Sequence, residues 1–101
     1  MIVRVWHARA ALAPPSAYPR HFIDAVLPEL HRIEGFVGAT LLRQHRAHDI
    51  EYVVETRWTS MDAVRAFAGA NIDRAVVGPD AAAMLIDYDQ RVQHYEVVYE
   101  T

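Results

Sequence analysis

There is no cysteine anywhere in the 101 residues. Disulfide scaffolds, thiolate nucleophiles, iron–sulfur clusters and thiolate zinc sites are therefore all excluded, and nothing signals an oxidising compartment, so the cytoplasm is the expected location. Lysine is missing too. All ten cations are arginines, scattered from Arg4 to Arg91 without a cluster, against thirteen Asp and Glu for a formal charge of −3. A dedicated nucleic-acid surface does not fit that distribution. The chain also lacks a Gly-rich phosphate loop and a His-Glu-x-x-His pair, so no cofactor or metal is expected. Ala11-Leu12-Ala13 resembles a cleavage tripeptide, but Arg4, His7 and Arg9 interrupt what would be the apolar run before it, so neither a signal peptide nor a membrane span is expected.

What is present is a 52% hydrophobic, 10% aromatic chain of the right length for one compact domain over residues 1–101. A chain this short buries only somewhat over about 60% of its unfolded surface. Any sizeable ligand cavity would cut into a small core and would need support from oligomerisation.

The apolar pattern predicts the order β-α-β-β-α-β. Met1 to Arg9 reads as a strand with Val3, Val5 and His7 on one face and Ile2, Arg4 and Trp6 on the other; the face with fewer charges, the first, is expected to meet the core. Ser16 caps a helix running to about Glu34, with an apolar stripe of Phe22, Ile23, Val26, Leu27, Leu30 and Ile33 and with Gly35 as terminator. Pro28 lies well past the first turn, where a bend or break is expected. Two strand-like runs, Phe36 to Arg46 and Asp49 to Thr59, join through a polar turn near Ala47-His48 as an antiparallel hairpin. In the second run Ile50, Tyr52, Val54, Thr56 and Trp58 share the inward face. Ser60 caps a second helix with Val64, Phe67 and Ala68 on its buried side and Gly69 as its end. Asn71 to Val77 is expected to form one or two helical turns, Asp80 to start a brief helix through Leu85, and Gln90 to Glu100 to form the last strand.

The predicted fold class is α+β: a ferredoxin-like, split-βαβ antiparallel sheet with its helices on one face. Val53, Val37, Leu41, Trp6 and Val97 then need cover on the other face. A second copy of the chain, packed with charge pairing through Arg4, Glu51, Glu55 and Arg57, would supply it as a homodimer.

The segment Thr56-Arg57-Trp58-Thr59-Ser60 through Phe67-Ala68-Gly69 resembles the Trp-x-Ser and Phe-x-Gly signature of antibiotic biosynthesis monooxygenase domains. Ile33 to Gly38, Arg74 to Val77, Ala81 to Leu85 and Val92 to Val97 extend the resemblance over nearly the whole chain. It implies a dimeric α+β barrel with a pocket in each subunit between its sheet and its helices. Relatives of that kind include cofactor-independent oxygenases of phenols and quinols, haem-degrading enzymes, and small proteins with no known reaction, so the resemblance alone leaves the chemistry open.

Cofactor-free oxygenation of an electron-rich phenol or enol requires a dry pocket for a planar substrate, a proton acceptor, and dipoles that stabilise the resulting anion. Trp58, Tyr52 and Phe67 are the candidate contacts to a small aromatic or apolar ligand. Trp58 has an ordinary alternative role as the anchor of the second helix, and Tyr52 could simply direct its hydroxyl to water or a backbone carbonyl. Among six histidines, His21, His31, His45 and His48 read as solvated; His94 and His7, on neighbouring strands, are the candidate catalytic proton acceptors, with a structural role for His94 equally open. Haem breakdown would demand an axial histidine after the Trp-x-Ser segment, and Asp73 to Gly78 offers none. The alternative to an enzyme is a non-catalytic dimer that binds a small molecule or whose pocket is filled by side chains.

Overall fold

The computed structural model describes residues 1–101. Five strands form one antiparallel sheet: β1 (Ile2–Ala10), β2 (Phe36–His45), β3 (Ile50–Trp58), β4 (Asp87–Tyr88) and β5 (Gln93–Glu96). β1 lies at the centre, with β3 and then β2 on one side and β4 and β5 sharing the other. The helical segments α1 (Tyr18–His21), α2 (Leu27–His31), α3 (Met61–Ala68) and α4 (Pro79–Ala83) complete the chain. No helix is long and apolar enough to cross a membrane.

The inward face follows from β3, whose Ile50, Tyr52, Val54, Thr56 and Trp58 are all buried while the residues between them are not. Because Trp58, Thr56, Val54 and Tyr52 lie opposite Ile2, Arg4, Trp6 and Ala8, the even-numbered residues of β1 face the helices. This reverses the facing expected for β1: Val3, Val5 and His7 point outward. A charged residue can face inward there because Arg4, 4% exposed, is hydrogen-bonded to two backbone carbonyls inside the fold. Trp6 and Leu41, expected on the outer face, likewise pack against the core.

Between α1 and α2 the chain does not break. Phe22–Val26 is π-helical, and the N–H of Leu27 donates to the carbonyl of Phe22. Pro28 follows directly on this wider turn, and the 18–31 helix runs through it despite the missing N–H. Its apolar stripe is narrower than expected, since Ile23 is half exposed.

Gly69 ends α3 with a φ of +80°, as expected, whereas the first helix stops at His31, short of Glu34, and Gly35, with a φ of +92°, stands in the turn that leads into β2. Ser60 Oγ accepts from the Ala63 N–H at 3.2 Å, capping α3 as expected. Asn71 to Val77, expected to form one or two helical turns, are instead extended and turned, tied to the residues before β5 by Ala75 N–H to the Gln90 carbonyl at 2.9 Å and Val92 N–H to the Asp73 carbonyl at 2.7 Å. The last strand is not continuous over Gln90 to Glu100. Tyr88 pairs with Ala8 and Gln93 with Val5, so five steps along one strand oppose three along the other, and the surplus forms a bulge at 89–92. The bulge turns Val92 inward, where it is buried.

Candidate functional site

A cavity of about 290 Å³ lies between the inner sheet face and the helical layer. Its walls are mostly apolar. Trp6 and Val54 supply the sheet side, Tyr18, Phe22, Val26 and Leu30 the long helix, Phe67 the α3 side, and Val77, Ala81 and Val92 the far end. Arg4, Thr56, His21 and Glu29 are its main polar wall residues besides the Tyr18 hydroxyl. Burial raises the Tyr18 pKa, with a smaller push from Tyr52, so that hydroxyl keeps its proton.

Arg4 is fixed tightly. Nη1 donates to the Ile72 carbonyl at 2.6 Å and lies 3.0 Å from His94 Nε2, and Nη2 donates to the Arg74 carbonyl at 2.8 Å. Its guanidinium carbon sits 5.5 Å from the centre of the Phe67 ring. A guanidinium has no acceptor, so Nε2 of His94 accepts and the imidazole proton resides on Nδ1, 3.5 Å from Asp73 Oδ1. Burial, then the Arg4 charge, lowers the His94 pKa from its ordinary 6.5. Loss of hydration lowers that of Arg4 to about 10, which leaves it charged at neutral pH.

The sequence-predicted site residues divide by depth. Phe67 lines the cavity. Trp58, 0% exposed, stands one layer behind: it stacks on Phe67 at 5.4 Å, meets Phe36 edge-on at 5.3 Å, and donates Nε1–H to Thr56 Oγ1 at 2.8 Å. Tyr52 is also behind the wall, its ring 5.3 Å from that of Tyr18 and its buried hydroxyl without a hydrogen-bond partner in the protein. His94 faces inward beside Arg4, but its Nε2 is engaged there. His7 is on the opposite face of the sheet, 3.5 Å from Glu51 and beside a polar depression with Arg9, Asp89 and Arg91. The two imidazoles therefore do not share a site: His94 lies opposite Arg4, not opposite His7.

Arg4, Trp6, Tyr18 and His21 are among the wall residues not singled out from the sequence. Arg4 and Trp6 alternate with Ile2 in β1, a pattern that correctly grouped them but assigned the group to the wrong face. His21 reads as a helix-surface residue, yet it lies one turn before Ala25 on the cavity side and is only partly exposed.

No protein-family model matches the sequence, and no curated protein does. Solved structures do match over the full chain. A Bacillus cereus protein ascribed to the antibiotic biosynthesis monooxygenases superposes with a TM-score of 0.65 at 18% identity, covering 100% of this chain and 94% of its own. The chain has the fold of that protein. It is similarly like MhuD: a variant with two manganese protoporphyrin IX molecules bound per active site gives a TM-score of 0.64 at 24% identity over 100% of this chain and 98% of the other. The heme-degrader MhuD from Mycobacterium tuberculosis, with two hemes in its active site, gives 0.55 at 23% identity over 100% and 99%. The α+β architecture, an antiparallel sheet with helices on one face, is common to these proteins and this chain. The stretch Asp73 to Gly78, where the sequence resemblance would place an axial histidine on a helix, is non-helical here.

Proposed function

We propose that the chain is a cofactor-independent monooxygenase of the antibiotic biosynthesis type, acting in the cytoplasm as a homodimer on a phenolic, quinol or polycyclic aromatic small molecule. The observation that carries this reading is the apolar cavity of about 290 Å³ with one buried, fixed cation in its wall. That size suits a molecule of a few fused rings at the lower end of small-molecule pockets. In such a reaction the substrate supplies the electrons: a ring CH₂ beside a phenol becomes C=O, one atom of O₂ entering the product and the other leaving as water.

The wall residues divide the work. Trp6 and Phe67 bracket the planar ring, and Trp58 holds Phe67 in place by stacking behind it. Tyr52 supports Tyr18 in the same way. His21 is the imidazole at the cavity wall and accepts the substrate proton. Arg4 stabilises the resulting anion, with His94 as the residue that positions its guanidinium. His7 has no part in this chemistry. The homodimer rests on the outer sheet face, where Val3, Val5, Val53, Leu42 and Tyr95 stand among Arg9, Glu51, Glu55 and Arg57, a surface whose charges can pair with a copy of itself.

Oxygen uptake and product mass, followed with a panel of hydroquinones and anthrones, test the reading. Protein-dependent turnover that falls in Phe67→Ala and His21→Ala is expected; no protein-dependent uptake across the panel would sink it. A second reading, haem breakdown, draws on the porphyrin-bound neighbours and on His21 as the cavity-wall imidazole. A Soret shift on adding hemin that disappears in His21→Ala, followed by ring opening with a reductant, would favour it over the first.

A further inference from the structure

We propose that the cavity is an anion site: its ligand is a planar apolar molecule carrying one anionic oxygen group, a carboxylate or an enolate-type oxygen, seated on Arg4. The inference rests on the reading of this cavity as a small-molecule site and adds the charge of what enters it.

The first ground is donor accounting. A guanidinium carries five N–H donors. Both hydrogens of Nη1 are committed, to the Ile72 carbonyl and His94 Nε2, and one of Nη2 goes to the Arg74 carbonyl. Nε–H and the second Nη2–H remain, on a side chain that is 4% exposed and lines the cavity. Nε and Nη2 share one edge of the planar group, the kind of fork that meets two oxygens of a carboxylate or one oxygen of an enolate.

The second ground is the absence of an internal counter-charge among the contacts. All three acceptors of Arg4 are neutral: two carbonyls and an imidazole held in its neutral form. Asp73 favours the Arg4 charge from a distance but makes no hydrogen bond or ion pair with it; its carboxylate lies against His94 Nδ1 and is largely exposed. Glu29 lines the cavity from the long helix, but its carboxylate is 3.1 Å from Arg32 and is solvent-facing. Phe67 offers its ring face at 5.5 Å, a weak substitute for an anion. A buried cation with no anion in direct contact is costly, and charges of this kind in a cleft mark ligand sites.

The third ground is rigidity. The carbonyls of Ile72 and Arg74 belong to one segment, tied by hydrogen bonds to Gln90 and Val92, and His94 stands on β5, so the guanidinium is held by backbone on one side and by a strand side chain on the other and needs no rearrangement to receive an oxygen. The apolar wall opposite, from Trp6 to Phe22, accepts the hydrocarbon part.

Calorimetric titration under anaerobic conditions with 2-naphthoate and its neutral isostere 2-naphthamide tests this directly. The unaltered protein is expected to prefer naphthoate by about tenfold or more, the ratio one charge-assisted hydrogen bond supports. In Arg4→Met that preference is expected to vanish while naphthamide still binds. Should Arg4→Met fail to fold, the Nε–H resonance of Arg4 in the ¹⁵N-labelled unaltered protein serves instead, moving with naphthoate and not with naphthamide. Equal affinity for the two probes, no binding of either, a preference that survives in Arg4→Met, or an Nε–H signal indifferent to naphthoate would each overturn the proposal. Oxygen plays no part in the readout, so an anion preference without turnover leaves this inference standing while the monooxygenase reading falls.

Discussion

Thr56 shows how much of this site depends on single polar atoms in a small core. Its hydroxyl accepts the one N–H of a tryptophan that is 0% exposed, and Thr56 also lines the cavity. Thr56→Val keeps the shape and removes the acceptor, leaving a buried donor unpaired. A loss of about 1–3 kcal/mol is expected in urea unfolding, with a change in Trp58 fluorescence. His94 sets a pH dependence. Because its pKa is lower folded than the ordinary 6.5, the unfolded chain takes up a proton that the folded chain refuses as the pH falls through that value. Stability is therefore fully present above about 6.5 and declines below it, with Arg4 and Asp73 the charged groups facing the ring. Urea melts across this range should show that slope, and a smaller one in His94→Gln; equal slopes would assign it elsewhere. The sequence made His94 visible as a candidate because imidazole chemistry is known from residue type. It hid the partner, since hydrogen bonds from Arg4 to the Ile72 and Arg74 carbonyls join residues nearly seventy positions apart.

The elements were legible wherever a local signal sufficed. The hairpin, the Ser60 cap and the Gly69 end follow from turn chemistry, and β3 shows its inner face by alternation alone. β1 alternates equally well, but two nearly balanced faces leave the choice to the neighbouring strand's register, which is a tertiary fact. Asn71 to Val77 lost their expected helical turns for a similar reason: backbone groups that a helix would satisfy internally are taken by Gln90, Val92 and Arg4. Among the turns, that at Gly35 has little freedom. A Cβ there would stand 2.5 Å from Ala63 Cβ and 2.8 Å from Thr59 Oγ1, at a φ of +92°. Gly35→Ala is expected to cost at least about 1 kcal/mol and to loosen the contact between the turn before β2 and α3, readable as a lower thermal midpoint.

At the scale of the molecule, the small chain spends its interior on a cavity. Fifteen of its residues are buried, while Leu42 and Tyr95 on the outer sheet face are about half exposed. A second copy covering that face would supply apolar burial that the cavity forgoes. Sedimentation equilibrium is expected to give twice the monomer mass, and Val53→Arg, at the centre of the outer face, to shift the protein towards monomer with loss of thermal stability. A monomer at all concentrations would remove the homodimer from the functional reading.

The π-helical turn before Pro28 has a consequence for how the long helix addresses the cavity. The wall residues Tyr18, Phe22, Val26 and Leu30 recur every fourth position, and an α-helix turned through about 100° per residue would rotate such a series by about 40° at each step and off its target. The wider turn at Phe22–Val26 absorbs that drift, behaving as one residue too many in an otherwise ordinary helix. Deleting the half-exposed Ile23 would leave the four at the three-and-four spacing that an α-helix keeps on one side. The shortened chain is expected to fold with its far-ultraviolet circular dichroism little changed, whereas deleting a residue within α3, which has no such surplus, is expected to unfold it.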